Sequence, residues 1–277
     1  MANTLIANLS DFQSGSTTAL FPDREWEGEH QFWKPTINQK MMHAHFLYCA
    51  DLLRNRGNSN LIIVNSGDAI EGNHHGTHQL ITRIINEQVA IHEELMQEFM
   101  ERCGFSLSNG DRLIYVRGTE VHTGEEEAKI AADLGTEISD HVELIINGYR
   151  LWFIHDGASS GSGPNEGNSL RNKLRDIYYT CLDDSDPIPD LVAYAHVHVP
   201  VKNIFMGHRK KIWGYINPSW QMKTRFAYKV APVVKTKIGM TVVGIMDDWG
   251  IQEPCFHILK TESAKSVIMQ ETNKQEI

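Results

Sequence analysis

Five short apolar runs in this chain end in side chains that bind metals or move protons. After 5–9 comes Asp11-Phe12-Gln13, and after 61–64 comes Gly67-Asp68-Ala69-Ile70-Glu71-Gly72. The run 112–116 leads into Gly118-Thr119-Glu120-Val121-His122. The run 149–154 passes directly into His155-Asp156-Gly157, and 190–194 leads to His196-Val197-His198. Ligands in α/β sheets collect just beyond the carboxyl ends of the strands. Five such strands would therefore deliver Asp, Asp, Glu/His, His and His-x-His to one edge. Carboxylates mixed with imidazoles suit Mn, Fe or Zn better than Ca or Mg alone. One such strand end means little, whereas five in order make a pattern.

The elements that must position these groups follow from the alternation of short apolar runs with helical patterns, the signature of an α/β chain. Met42, Phe46, Cys49, Ala50 and Leu53 share one face of a helix over 38–56, which Gly57-Asn58-Ser59-Asn60 ends. A long helix is predicted over 77–102 from the stripe Leu80, Ile81, Ile84, Ile85, Ile91, Leu95 and Phe99, stopped by Gly104. A short helix is expected over 125–134. Strands 142–146 and 149–154 are joined by an Asn147-Gly148 turn. A Gly/Ser-rich loop over 156–168 reads as a mobile lid or a plain solvated connection. It leads to a helix over 169–182. The last third reads as β, at 211–216, 240–246 and 252–259, and the tail from about 262 is polar. With no internal repeat and no dividing linker, residues 1–277 are expected to form one domain.

The chain has 277 residues, 41% of them apolar, enough for a large core. No apolar run approaches the roughly 20 residues of a membrane span, and the first residues lack the features of a signal peptide. The four cysteines are far apart with no C-x-x-C pair; two lie in helical patterns and read as buried structural thiols. Together these features point to the cytoplasm. A formal net charge of −9 argues against a protein that coats long duplex nucleic acid. It leaves room for a small anionic substrate, because bound cations can supply local positive charge.

In order and spacing the five strand ends resemble the motifs of the calcineurin-like metallophosphoesterases: D-x-H, G-D-x-x, G-N-H-[DE], a lone His and G-H-x-H. The matching residues are Asp11-x-Gln13, Gly67-Asp68-x-x-Glu71, Gly118-Thr119-Glu120-x-His122, His155 and Ala195-His196-x-His198. The resemblance spans about 5–220 and includes Asn217-Pro218-Ser219, similar to a late strand-end element of many members. It looks most like the short members carried by bacteriophages and prophages, which would place the protein in a host cytoplasm. It implies an αββα sandwich of two mixed sheets flanked by helices, and two divalent metal ions. Asp11, Gln13, Asp68 and His198 would hold the first ion. Asp68 as the bridge, Glu120 or Thr119, His155 and His196 would hold the second. His122 would give a proton to the leaving oxygen. Two motifs depart from the family. Gln13 stands where an imidazole is usual, so the first site is expected to favour Mn²⁺ or Mg²⁺ over Zn²⁺, with Fe²⁺ also compatible. Thr119-Glu120-Val121-His122 replaces the adjacent Asn and His, leaving the roles of Thr119, Glu120 and His122 open.

The reaction so implied is hydrolysis of a phosphate ester by a metal-bridging hydroxide, with two cations roughly 3.5–4 Å apart clamping the phosphate. The expected substrate is a small phosphate ester, with a nucleotide phosphodiester, cyclic or a short oligonucleotide, preferred. A phosphomonoesterase or protein phosphatase, a DNA nuclease, and a binding scaffold with weak metal sites are the alternatives; an oligomer is compatible with all of them. Phe21, Trp26, Phe32 and Trp33 either stack a nucleobase or pack their loop onto the core. Asn73 and His74 are candidates for a contact with substrate phosphate. Arg171, Lys173 and Arg175 either meet phosphate oxygens or form an exposed helix face. His43 and His45 fall on different sides of a helix and make a poor metal pair.

Overall fold

The computed structural model describes residues 3–30, 32–73, 78–225, 229, 236–247 and 249–260. The polar tail and His74 lie outside them. The chain opens with β1 (Thr4–Leu9), a small hairpin β2 (Trp26–Glu27) and β3 (Phe32–Trp33), and helix α1 (Ile37–Arg54). Next come β4 (Asn60–Asn65), α2 (Ile85–Cys103), β5 (Arg112–Val116), α3 (Glu120–Thr123) and α4 (Glu126–Asp133). The middle holds β6 (Ile138–Ser139), β7 (His141–Ile146), β8 (Tyr149–Ile154), α5 (Asn168–Asp183) and β9 (Leu191–Tyr194). The chain closes with β10 (Val201–Met206), β11 (Lys211–Ile216), β12 (Gly239–Met246), β13 (Gly250–Ile251) and β14 (Cys255–Ile258).

The strands form two mixed sheets. One runs β13-β12-β1-β4-β5-β6, with β14 also on β12; the other runs β10-β11-β9-β8-β7. Strand periodicity sorts the side chains of each sheet between two cores. Ile6, Ile62, Val64, Ile114 and Val116 of the first sheet meet Leu144, Leu151, Phe153, Leu191 and Tyr215 of the second. The opposite residues of the first sheet, Ala7, Leu9, Leu61, Ile63 and Tyr115, pack under α1, α2 and α4. Val192, Tyr194, Ile212 and Ile216 on the outer face of the second sheet pack under Leu170, Leu174 and Tyr178 of α5. The result is the αββα arrangement expected from the sequence.

Local chemistry explains the boundaries. Thr36 and Gln39 form a reciprocal capping box at the start of α1, satisfying N–H groups that the first turn leaves open. Gly104 ends α2 with φ 67°, a conformation glycine adopts without a Cβ penalty. Asn147 and Gly148 both have positive φ, as the two-residue β7–β8 turn requires.

Two expectations are corrected, and one strand is added. The helix expected from 77 begins only at Ile85. The segment before it is extended against the loop after β1, with Ser16 bridging Leu80 and the Ile81 N–H donating to the Gly15 carbonyl at 2.7 Å. The strand expected over 252–259 is shorter, beginning as β14 only after Pro254, which has no N–H for a ladder, and the two-residue β13 precedes it. Strand β10 was not foreseen, because its polar Lys202 and Asn203 mask the alternation of an edge strand. No helix among the described residues is long and apolar enough to cross a membrane.

Candidate metal centre

β1, β4 and β5 run parallel, as do β8, β9 and β11, so both sheets present carboxyl ends at one edge of the sandwich. Beyond those ends the loops zip together through their backbones. Asp11 N–H donates to the Gly67 carbonyl and Gln13 N–H to that of Asp68, both at 2.9 Å. Ala195 N–H donates to the His155 carbonyl at 2.9 Å, and Trp220 N–H to that of Asp11 at 3.1 Å. Asn217, in the late element, is fully buried; its N–H donates to the Tyr194 carbonyl and its amide to Ser10 Oγ. It thus fastens the two sheets behind the site.

Seven non-glycine residues have φ in the left-handed region among the described residues, and five of them are predicted ligands: Asp11, Gln13, Asp68, His196 and His198. Such conformations cost of order 1–3 kcal/mol each and persist only where surrounding contacts impose them. Here they turn the side chains of successive strand ends towards one point.

Asp68 is at the centre. Thr119 donates to its Oδ1 twice, from N–H at 2.7 Å and from Oγ1 at 2.8 Å. Its Oδ2 faces His155 Nε2 at 3.2 Å and His196 Nδ1 at 3.9 Å, and accepts a hydrogen bond from Gln13 Nε2 at 3.1 Å. Beside it, Asp11 Oδ1 lies 3.3 Å from His198 Nε2, and Asp11 Oδ2 accepts from the His196 N–H. His155 Nδ1 donates to the Ser66 carbonyl at 2.6 Å, which leaves Nε2 as the basic nitrogen turned to Asp68. The liganding atoms of Asp68, His155 and His196 all lie within 4.8 Å of one another.

The donor set fits a cation. Asp11 Oδ1, Gln13 Oε1, His155 Nε2 and His196 Nδ1 are buried with no hydrogen-bond partner, although the first lies at ion-pair distance from His198 and the last two from Asp68. Buried polar atoms of a folded protein are otherwise almost always paired. Oxygen and imidazole donors converging without mutual hydrogen bonds are what divalent ions require. The charges are arranged to match. Burial pushes the Asp68 carboxyl up, but the facing His155 and His196 rings overcome it and hold the group well below the usual carboxylate range. Burial pushes His155 down, and Asp68 more than reverses this, to about 10. The Asp68 carboxylate likewise raises His196, against burial.

The remaining predicted residues fall at different distances from this centre. His122 is on α3, its Nδ1 donating to the Glu71 carbonyl at 3.0 Å. Glu120 is exposed at the first position of α3, whereas Thr119 reaches Asp68. Asn73 is exposed and its amide donates to the Arg83 carbonyl at 2.7 Å. Of the loop aromatics, Phe21 is fully buried, Trp26 and Trp33 pack against the helical core, and Phe32 is 61% exposed. Arg171, Lys173 and Arg175 lie on the exposed face of α5. His43 pairs with Glu98 at 2.7 Å and His45 approaches the His257 carbonyl, each on its own side of α1.

Two buried carboxylates near the site have no role in the sequence analysis: Glu71, although it closes the Gly67-Asp68-x-x-Glu71 match, and Glu127, which no motif includes. Glu71 accepts a hydrogen bond from Gln221 Nε2 at 2.6 Å, and burial pushes it up to about 8. Glu127 is fully buried on α4. In the sequence it stands in Glu125-Glu126-Glu127, which resembles a solvated helix face. The signal that identifies it is its i, i+3, i+4 spacing with the core residues Ile130 and Ala131.

No family model and no curated protein matches the sequence. Among solved structures the chain is similar to an archaeal phosphodiesterase, at 10% identity and TM-score 0.42, covering 91% of this chain and 99% of that one. It is similar also to Vps29 complexed with zinc from Entamoeba histolytica, at 11% identity and TM-score 0.42, covering 92% and 99%. A third is a conserved predicted phosphoesterase from Streptococcus pneumoniae TIGR4, at 10% identity and TM-score 0.36, covering 93% and 99%. At these identities and TM-scores the likeness carries no functional weight, which falls on the side chains of the centre.

Proposed function

We propose that the chain is a metal-dependent phosphoesterase, acting as a phosphodiesterase on nucleotide phosphodiester bonds of cyclic or short oligonucleotides. The observation that carries this reading is the pair of adjoining ligand groups with orphaned donor atoms. Asp11 and His198 form one, Asp68, His155 and His196 the other, and Gln13 lies against Asp68. The first group with Gln13 would hold one divalent ion and the second would hold another, with Mn²⁺ preferred because Gln13 contributes a hard amide oxygen. Bound there, the ions supply Lewis-acid stabilisation of a phosphate and a water acidic enough to act at neutral pH.

The chain's own residues do the rest. Thr119 fixes the Asp68 carboxylate by binding one oxygen twice, so the other faces the imidazoles. The Ser66 carbonyl sets the His155 tautomer. The Glu71 carbonyl holds the His122 ring by Nδ1, orienting an imidazole to give a proton to the leaving oxygen. Phe32, the exposed aromatic of the β2–β3 hairpin, offers a face for a nucleobase. The net charge of −9 favours a small substrate over long duplex DNA.

Hydrolysis of bis(p-nitrophenyl) phosphate and of its monoester with Mn²⁺, run beside Asp68→Ala, tests the reading. Diester cleavage that needs Mn²⁺ and falls roughly 10³-fold in the variant is expected. Preferential cleavage of the monoester would make the protein a phosphomonoesterase. A metal-poor protein that cleaves neither ester, indifferent to chelators, would make it a scaffold and sink the enzyme reading.

A further inference from the structure

Glu127 touches neither ligand group, yet it binds both of the loops that frame Asp68. Its Oε1 accepts the Ala69 N–H at 2.9 Å, one residue beyond Asp68. Its Oε2 accepts the Gly118 N–H at 2.6 Å, one residue before the Thr119 that holds Asp68. These loops follow different strands, β4 and β5, and they approach so closely that a Cβ on Gly118 would overlap Asp68. Glu127 is 0% exposed and forms no ion pair among the described residues. A buried carboxylate without a counter-ion is costly, and a neutral side chain of that shape would spare the cost. The cost shows in its acidity: burial pushes Glu127 up to about 7, and the charges of Asp68 and His155 act on it from across the loop.

We infer that Glu127 is a positioning residue of the metal centre, spacing the Asp68 and Thr119 loops and lending its negative charge to cation binding. The inference rests on the metal-centre reading above. A carboxylate accepts two N–H groups at once, whereas an amide offers one oxygen and turns its own N–H groups against a donor. Two N–H groups and the neighbouring His155 offset its charge only in part until cations arrive, so the two states of the protein respond to it in opposite directions. In the metal-free chain it is a burden, and in the loaded chain an asset.

The test is calorimetric titration with Mn²⁺, together with thermal unfolding with and without Mn²⁺, on the full chain. Wild type, Glu127→Gln, Glu127→Asp and Ile130→Ala are compared. Glu127→Gln is expected to unfold no earlier than wild type without metal, and to bind Mn²⁺ about 10- to 100-fold more weakly. Glu127→Asp, which keeps the charge, should retain more affinity than Glu127→Gln. Ile130→Ala loosens the same helix without touching the carboxylate, and should lower the melting temperature equally with and without Mn²⁺ at unchanged affinity. The inference fails if Glu127→Gln cannot be obtained folded without metal, or if its Mn²⁺ affinity stays within twofold of wild type. It fails also if Ile130→Ala loses affinity as Glu127→Gln does. Wild type that binds no Mn²⁺ would overturn the metal-centre reading itself and this inference with it.

Discussion

His92 and His155 are both buried, the first on α2 over the first sheet and the second just past β8 at the carboxyl edge of the second sheet. Burial pushes His92 down to about 3, while His155 is carried up to about 10 because Asp68 more than offsets the same penalty. Around His92 the partners are neutral: Tyr115 OH at 2.9 Å, Asn65 at 3.3 Å, and the edge of the Phe12 ring. Around His155 they are a carboxylate, a second imidazole and a loop under backbone strain. Each ring keeps one buried nitrogen without a hydrogen-bond partner, Nδ1 of His92 and Nε2 of His155. What differs is the charge that faces the ring, neutral groups at His92 and the Asp68 carboxylate at His155, and this separates a core histidine from a ligand better than depth does.

The sharpest way to break the contrast is to disturb the carboxyl edge alone. Gly118→Ala places a methyl group against the backbone nitrogen and Oδ1 of Asp68. Overpacking of this kind costs about 1–3 kcal/mol, and here the strain falls on the ligand loop. We expect phosphodiester hydrolysis to drop about 100-fold, read as kcat/KM, in a chain that still folds.

The helical side answers instead to acid. Because His92 has a folded-state pKa below its unfolded value, its neutral form contributes stability that is full above about pH 6.5. That contribution is lost as pH falls towards about 3. By pH 4 it amounts to a loss on the order of 3 kcal/mol. Urea unfolding at pH 7 and pH 4 measures it, and His92→Gln should shrink the difference between the two; an equal difference in the variant would clear His92 of any part in acid sensitivity.

Smaller effects sharpen the edge itself. Gln13→His exchanges an amide oxygen for an imidazole and should move metal preference from Mn²⁺ towards Zn²⁺ by about 10-fold, followed by competition titration. At the far end of the scale, Arg175→Ala on the exposed face of α5 should leave hydrolysis within twofold and stability within about 0.5 kcal/mol. A larger loss of activity would bring that helix into substrate binding.

The strand ends were legible because metal-binding side chains stand out against apolar runs, and because parallel strands gather their carboxyl ends by topology. Asp68, His155 and His196 group together from their places at the strand ends alone. What escaped was chemistry without a local signature. Thr119 and Glu120 are equally plausible at their positions, and only the backbone path beyond β5 decides that the hydroxyl meets Asp68. Glu127 carries a charge that composition assigns to solvent, although its helical spacing places it in the core. The segment before Ile85 continues the apolar stripe of α2 yet pairs with the loop after β1, since long-range backbone pairing outweighs a weak helical preference there.

Strand β1 lies in the interior of its sheet, between β4 and β12, with Thr4 opposite Ile245. The side chain of Asn8 meets Tyr215, and His198 meets Asp11. A ribosome therefore exposes the first candidate ligand long before it supplies the last, by an interval on the order of ten seconds or more. The bed on which both rest is finished only when β12 emerges. The candidate ligands are therefore complete only once His198 has emerged, so any cation this centre holds would join it late, after most of the chain is made.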